Sequence, residues 1–159
     1  MPERARGPGI PIRPAVEPDL PRWAELRSAL WPDEAPTELR DEAEAYLPGR
    51  ARLLDAVLVA EDITDGVIGF VELSRRPYAE GCTTSPVGFL EGWYVMPEHR
   101  GRGVGRALVS AAEAWARSKG CLEFASDATF DNAAGAAAHH ALGFEEVEVL
   151  RCFRKPLDG

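Results

Sequence analysis

Leu20, Trp23, Leu26, Ala29 and Leu30 recur near helical spacing, which predicts a helix over "DLPRWAELRSALW" with Asp19 at its N-cap and Pro32 as its stop. "PTELRDEAEAYL" predicts a second helix, opened at or near Thr37 and ended by Pro48-Gly49. "GIPIRPA" reads as a short first strand. "AVLVAED" and "GVIGFVELSRR" read as two strands joined by the hairpin turn "ITDG". After the polar loop "PYAEGCTTSP" comes a strong strand, "GFLEGWYVMP", closed by Pro97. Val104, Ala107, Leu108, Ala111, Ala112 and Trp115 then form one apolar helical stripe, with Arg106, Glu113 and Arg117 pointing away. The strand "CLEFASD", a helix over "NAAGAAAHHAL", a turn at Gly143 and a last strand or hairpin "FEEVEVLRCFRKP" complete the chain. A run of adjacent strands followed by strands alternating with helices implies an α/β fold with a mixed sheet.

The length of 159 residues suits one domain, read here as residues 10–159 behind a flexible lead-in of residues 1–9. No apolar run approaches the roughly 20 residues of a membrane span, and "MPERARGPGI" lacks the apolar region of a secretory signal. The three cysteines, Cys82, Cys121 and Cys152, show no metal-ligand spacing and read as reduced thiols in a cytoplasmic protein without a metal site. The net charge of −8 disfavours a nucleic-acid partner. It suits a cationic ligand if the acids converge on a cleft, and acidic solubility accounts for it equally well.

Gly101, Gly103 and Gly105 stand where the strongest helix begins, although glycine costs about 1 kcal/mol against alanine within a helix. A strand running into bare backbone and a helix N-terminus suits an anion, because unpaired N–H groups converge there and no Cβ obstructs the approach. Arg100, Arg102 and Arg106 add positive charge at the rim. A glycine-rich turn with solvated arginines is the plainer alternative. The segment is not a P-loop, since no Gly-Lys-Ser/Thr ends it, and it lacks a complete G-x-G-x-x-G with a downstream ribose acid.

Arg100-x-x-Gly103-x-Gly105, after "WYVMPEHR" and ahead of an amphipathic helix, resembles the acyl-CoA loop of GCN5-related N-acetyltransferases (GNATs). Asn132 followed by a helix ending in Leu142-Gly143-Phe144 matches that family's later element, and "IRPA" its N-terminal strand; the resemblance covers residues 10 to 156. It implies a mostly antiparallel central sheet with flanking helices and one splayed strand pair, and acetyl-CoA as cofactor. It further implies that backbone amides from Arg102 to Arg106 hold the pyrophosphate, with Arg100, Gly101, Gly103, Val104 and Gly105 in the same loop. Trp93, Tyr94 and Val95 would flank the pantetheine arm, Asn132 would hydrogen-bond it, and the Val95 N–H would stabilise the oxyanion.

"SALWP", "YAEGCTTSPVGFLEG" and "EFASDATFDN" together resemble one subgroup of aminoglycoside 6'-N-acetyltransferases, which implies a polycationic antibiotic as substrate and a homodimer as assembly. Carboxylates are the natural partners of its ammonium groups. Strict alternation puts Glu91 on the face of Phe89, Trp93 and Val95, where a bare carboxylate is costly. It is an acid beside the reacting amine, or its face meets solvent at a sheet end, or it pairs with an arginine. Asp127 either binds the amine and acts as base, as the resemblance implies, or caps the following turn. Tyr78, Trp23 and Trp31 line the cleft or belong to the core. Asp41, Glu42 and Glu44 extend a negative rim or form a solvated helix face. His139 stands where many family members have a tyrosine that protonates the leaving thiolate; it donates that proton or pairs with local acids. The expected reaction is direct acetyl transfer, and the alternatives are another polyamine or a protein N-terminus as acceptor, or a module that binds acyl-CoA without turnover.

Overall fold

The computed structural model describes residues 9–47 and 54–158. Residues 1–8 of the expected lead-in, and the Pro48-Gly49 end of the second helix, lie outside them. Strands β1 (Ile12–Pro14), β2 (Ala56–Asp62), β3 (Gly66–Arg76), β4 (Val87–Val95) and β5 (Phe124–Ser126) form one sheet in sequential order. All neighbours are antiparallel except β4 and β5, which run parallel. Helices α1 (Leu20–Leu30) and α2 (Pro36–Tyr46) precede β2, α3 (Val104–Ser118) separates β4 from β5, and α4 (Ala133–Ala141) follows β5.

The two faces of the sheet carry separate cores. Ile68, Val71, Leu73 and Leu90 pack with Val104, Leu108 and Ala112 of α3. Val57, Val59, Val67 and Phe70 pack on the other face with Trp23, Leu26 and Ala43 of α1 and α2. The long parallel crossover through α3 fixes β4 beside β5, as a parallel pair requires.

Two local expectations change. Asp19 occupies the residue before α1 but makes no side-chain cap; its carboxylate accepts the Val16 N–H at 2.8 Å and two N–H groups of Arg13 at 2.7 and 2.8 Å. The last strand expected over "FEEVEVLRCFRKP" is absent among the described residues, where 145–158 make no ladder. A strand needs a partner for its backbone groups, and nothing within the described chain supplies one.

Candidate active site

β4 and β5 pair only from Gly88–Phe124 to Leu90–Ser126. Beyond Leu90 the strands part. Against β3, the register pairs Leu73 with Leu90 but Glu72 with Gly92, so Glu91 is an extra residue, a β-bulge. The Met96 N–H donates to the Ile68 carbonyl at 2.8 Å, and the same alternation commits Tyr94 and Gly92 to β3. Trp93 and Val95 therefore turn their backbone N–H groups toward the gap that β5 has left.

The bulge corrects the placement of Glu91. Glu91 shares the α1–α2 side with Phe89, where the Arg76 guanidinium lies 3.5 Å from the Phe89 ring centroid. Trp93 and Val95 lie on the α3 side, within the opposite core. An inserted residue shifts a period of two by one step, so strict alternation fails past it. Tyr94 also separates from its neighbours: its ring faces Phe70 at 6.5 Å on the α1 side.

At the other end of the gap, Gly101 and Gly103 hold φ of +77° and +84°, and a Cβ on either would meet no atom within 4 Å. Gly103 precedes α3, and its carbonyl accepts the Ala107 N–H at 3.0 Å. No acceptor among the described residues takes the N–H groups of residues 101–106. They converge at the N-terminus of a 15-residue helix, whose dipole adds partial positive charge. Gly105 serves contact: a Cβ there would lie 3.2 Å from the Trp93 ring. The buried Val104 side chain belongs to the core. His99, whose Nε2 lies 2.7 Å from an Asp65 oxygen, ties the loop to the β2–β3 turn. Arg102 and Arg106 are exposed at the rim, whereas Arg100 turns back, donating from Nε to the Val95 carbonyl at 2.8 Å and lying over the Tyr94 ring.

A cleft of about 650 Å³ opens on the α1–α2 side, lined by Trp31, Glu34, Glu42, Glu72 and Glu91 among others. Glu91 is held firmly: Arg76 donates to its two oxygens at 2.9 and 2.8 Å, and the Ser74 hydroxyl donates at 2.5 Å. Asp127 directly follows Ser126, the last β5 residue paired with β4. It is exposed and has no hydrogen-bond partner among the described residues, and the helix that follows is capped by Asn132 instead. The Asn132 oxygen accepts the Gly135 N–H at 2.9 Å, so that oxygen is committed to the α4 cap.

One further expectation is corrected, and two more residues take on definite surroundings. Trp23 is fully buried, with its indole N–H directed at Glu72 at 3.3 Å, so its ring belongs to the core and reaches no ligand. Tyr78 is exposed and lies outside the cleft lining; the neighbouring Glu80 carboxylate pushes its phenol pKa upward. The His139 ring has both nitrogens engaged, Nδ1 with the Gly135 carbonyl at 2.6 Å and Nε2 with the Ser126 hydroxyl at 2.8 Å. A carbonyl only accepts, so Nδ1 carries hydrogen. The ring packs edge-on against Trp93 and Phe144, which makes His139 a pin between α4 and β5 rather than a free acid.

Arg27, Glu72, Ser74 and Arg76 escaped the sequence reading. A lone acid in the apolar strand "GVIGFVELS" was the available signal, since such a carboxylate demands a partner. Burial pushes the Glu72 carboxyl pKa upward, and Arg27 opposes that shift.

The family model for the acetyltransferase (GNAT) family matches residues 20–144. A curated aminoglycoside N(6')-acetyltransferase type 1 from Klebsiella aerogenes is 50% identical over 146 residues, covering 92% of this chain and 96% of the relative. The apo crystal structure of aminoglycoside 6'-N-acetyltransferase AAC(6')-IG from Acinetobacter haemolyticus superposes with a TM-score of 0.85 at 41% identity, covering 94% of this chain and 100% of that one. AAC(6')-Iy, solved with the bisubstrate analogue CoA-S-monomethyl-acetylneamine, gives a TM-score of 0.82 at 39% identity over 94% of this chain and 99% of that one.

Proposed function

The chain belongs to the GNAT family of acetyltransferases, and on that premise we propose that it transfers an acetyl group from acetyl-CoA directly to the 6'-amine of aminoglycosides. The observation that carries this reading is the β4 bulge. On one side of it lies the splayed gap with its amide cradle, and on the other the cleft that contains Glu91, where acids alternate with Arg27, Arg75 and Arg76. The names and bound analogue of the relatives support both halves.

The residues at the gap fit a diphosphate-bearing thioester. The open glycine positions admit phosphate oxygens to the amides of residues 101–106, and Arg102 and Arg106 add charge. Acetyl-CoA supplies the activated acyl carbon. Trp93 and Val95 present their N–H groups along the arm, and the Val95 N–H donates to the thioester oxygen as charge develops there, an effect worth a few kcal/mol when preorganised. Glu91, fixed by Arg76, receives an ammonium group of the substrate and orients it. Asp127 takes the proton from the reacting ammonium, directly or through one water, so that the neutral amine attacks. Trp31 walls the cleft. As the amide C–N bond forms, the thioester C–S bond would break and the second amine proton would pass to the coenzyme A thiolate, so His139 need supply none.

The reading extends to a single domain over residues 10–159 and to a homodimer. Val147, Val149, Leu150, Phe153 and Leu157 are exposed along a tail that lacks a strand partner among the described residues. Contiguous exposed apolar surface marks an interaction site, and a second copy of the tail is the natural cover. Free Cys82, Cys121 and Cys152 suit a reducing cytoplasm, and no helix among the described residues is long and apolar enough to cross a membrane. Antibiotic resistance is the physiological consequence of the reaction. Turnover of acetyl-CoA across aminoglycosides with and without a 6'-amine tests the reading. Activity confined to 6'-amino compounds supports it, while activity on spermidine or peptides alone replaces it.

A further inference from the structure

Arg27 lies at the centre of a buried hub that the proposed chemistry does not use. Its Nε and Nη2 donate to the two oxygens of Glu72, both at 3.0 Å. Nη1 and Nη2 donate to one Glu42 oxygen at 3.0 and 3.1 Å, and Nη1 also donates to the Leu39 carbonyl at 2.8 Å. All five guanidinium hydrogens are thereby engaged. The hub joins α1, α2 and β3.

Above it, the guanidinium carbon lies 5.0 Å from the centroid of the Trp31 ring. The far edge of that ring sits over Gly92, where a Cβ would lie 2.9 Å from it. Gly92 is the residue after the Glu91 bulge. Trp31 is thus clamped between a fixed cation and bare backbone at the point where the cleft meets β4.

We propose that Arg27 is a positioning residue for the amine substrate, holding Trp31 against the β4 bulge and α2 against α1, so that the cleft wall is set before the aminoglycoside binds. The inference rests on the aminoglycoside reading of the same cleft. Lysine cannot reproduce the hub, because it keeps the charge but loses the planar fork and the stack.

Calorimetry with kanamycin as the probe, alongside steady-state kinetics, tests the proposal in wild type, Arg27→Lys, Trp31→Ala and the double variant. Arg27→Lys is expected to raise the kanamycin Kd and KM about tenfold, with kcat within about threefold and the coenzyme A Kd unchanged. In the Trp31→Ala background the same change should cost clearly less than in wild type, because the part of its effect that travels through the ring is already lost. If Arg27→Lys does not fold, the charge-balanced pair Arg27→Met with Glu72→Leu carries the same comparison. An unchanged kanamycin affinity in the folded variant, or fully additive effects with Trp31→Ala, overturns the proposal. Wild type that fails to bind kanamycin sinks the aminoglycoside reading itself, and the inference with it.

Discussion

Arg76 and Glu91 form a two-point ion pair between β3 and β4, with Nε and Nη2 each within 2.9 Å of a separate carboxylate oxygen. The pair gives the two acids near the bulge different characters. Glu91 is a fixed carboxylate with a resident cation, whereas Asp127 stands free in solvent.

Asp127→Asn and Glu91→Gln should therefore fail in different ways. Loss of the proton acceptor is expected to lower kcat about 100-fold with little change in the aminoglycoside KM. Loss of the orienting charge is expected to raise that KM about tenfold, with kcat within a few-fold. Steady-state kinetics with acetyl-CoA saturating reads both, and the reverse pattern exchanges the two roles.

Gly103→Ala puts a side chain at φ +84°, a left-handed conformation that costs about 1–2 kcal/mol for an L-residue. Relaxation of that strain moves the N–H groups that open α3. Thermal denaturation should show the loss of stability, and calorimetry should show coenzyme A bound at least about tenfold more weakly, since 1.4 kcal/mol is a factor of ten. Unchanged coenzyme A affinity would move the diphosphate away from this loop.

The Asp19 carboxyl is held below its ordinary pKa chiefly by hydrogen bonds from Arg13, with burial opposing and the Val16 N–H assisting. A depressed folded pKa means the stabilisation is complete above the unfolded value near 4 and disappears as the pH falls through the lower folded value. Asp19→Asn is expected to cost about 1–2 kcal/mol at pH 7, from the lost charge-assisted bonds. Urea titrations should show that difference closing below about pH 4; a constant difference down to pH 2 would contradict it.

The exposed tail gives the assembly prediction. The double substitution Val149→Asp and Phe153→Asp, both at exposed positions, should halve the mass measured by light scattering while leaving coenzyme A binding intact. A wild type that is already monomeric at micromolar concentration would contradict the homodimer.

The elements were legible wherever one period held over a long run. The helix α3 and the strands "AVLVAED" and "GVIGFVELSRR" appear where they were read, although the buried face of α3 also takes in Val109 and Ala116. The bulge was not legible, because an inserted residue leaves no mark in a pattern of alternation, and so Glu91 was assigned neighbours that lie across the sheet. Trp23 and Trp31 are eight positions apart on or beside one helix, yet one is sealed in the core and the other walls the cleft. Trp23 packs between α2 and the sheet, whereas Trp31 lies just past the end of α1, over Gly92. The Arg27–Glu72 pair joins residues 45 positions apart, and a single sequence cannot reveal such a contact. The tail failed as a strand for a different reason: its alternation is real, but its partner is not within the described chain.

The most direct test of the whole account is the position of the acetyl group in the product. When purified protein is given acetyl-CoA and kanamycin, two-dimensional NMR of the product should show a single acetamide, on the 6'-nitrogen. Acetylation at a ring amine instead, or no acetylated product from a folded protein that binds coenzyme A, would contradict the claim that the cleft containing Glu91 delivers the 6'-amine to the gap at Val95.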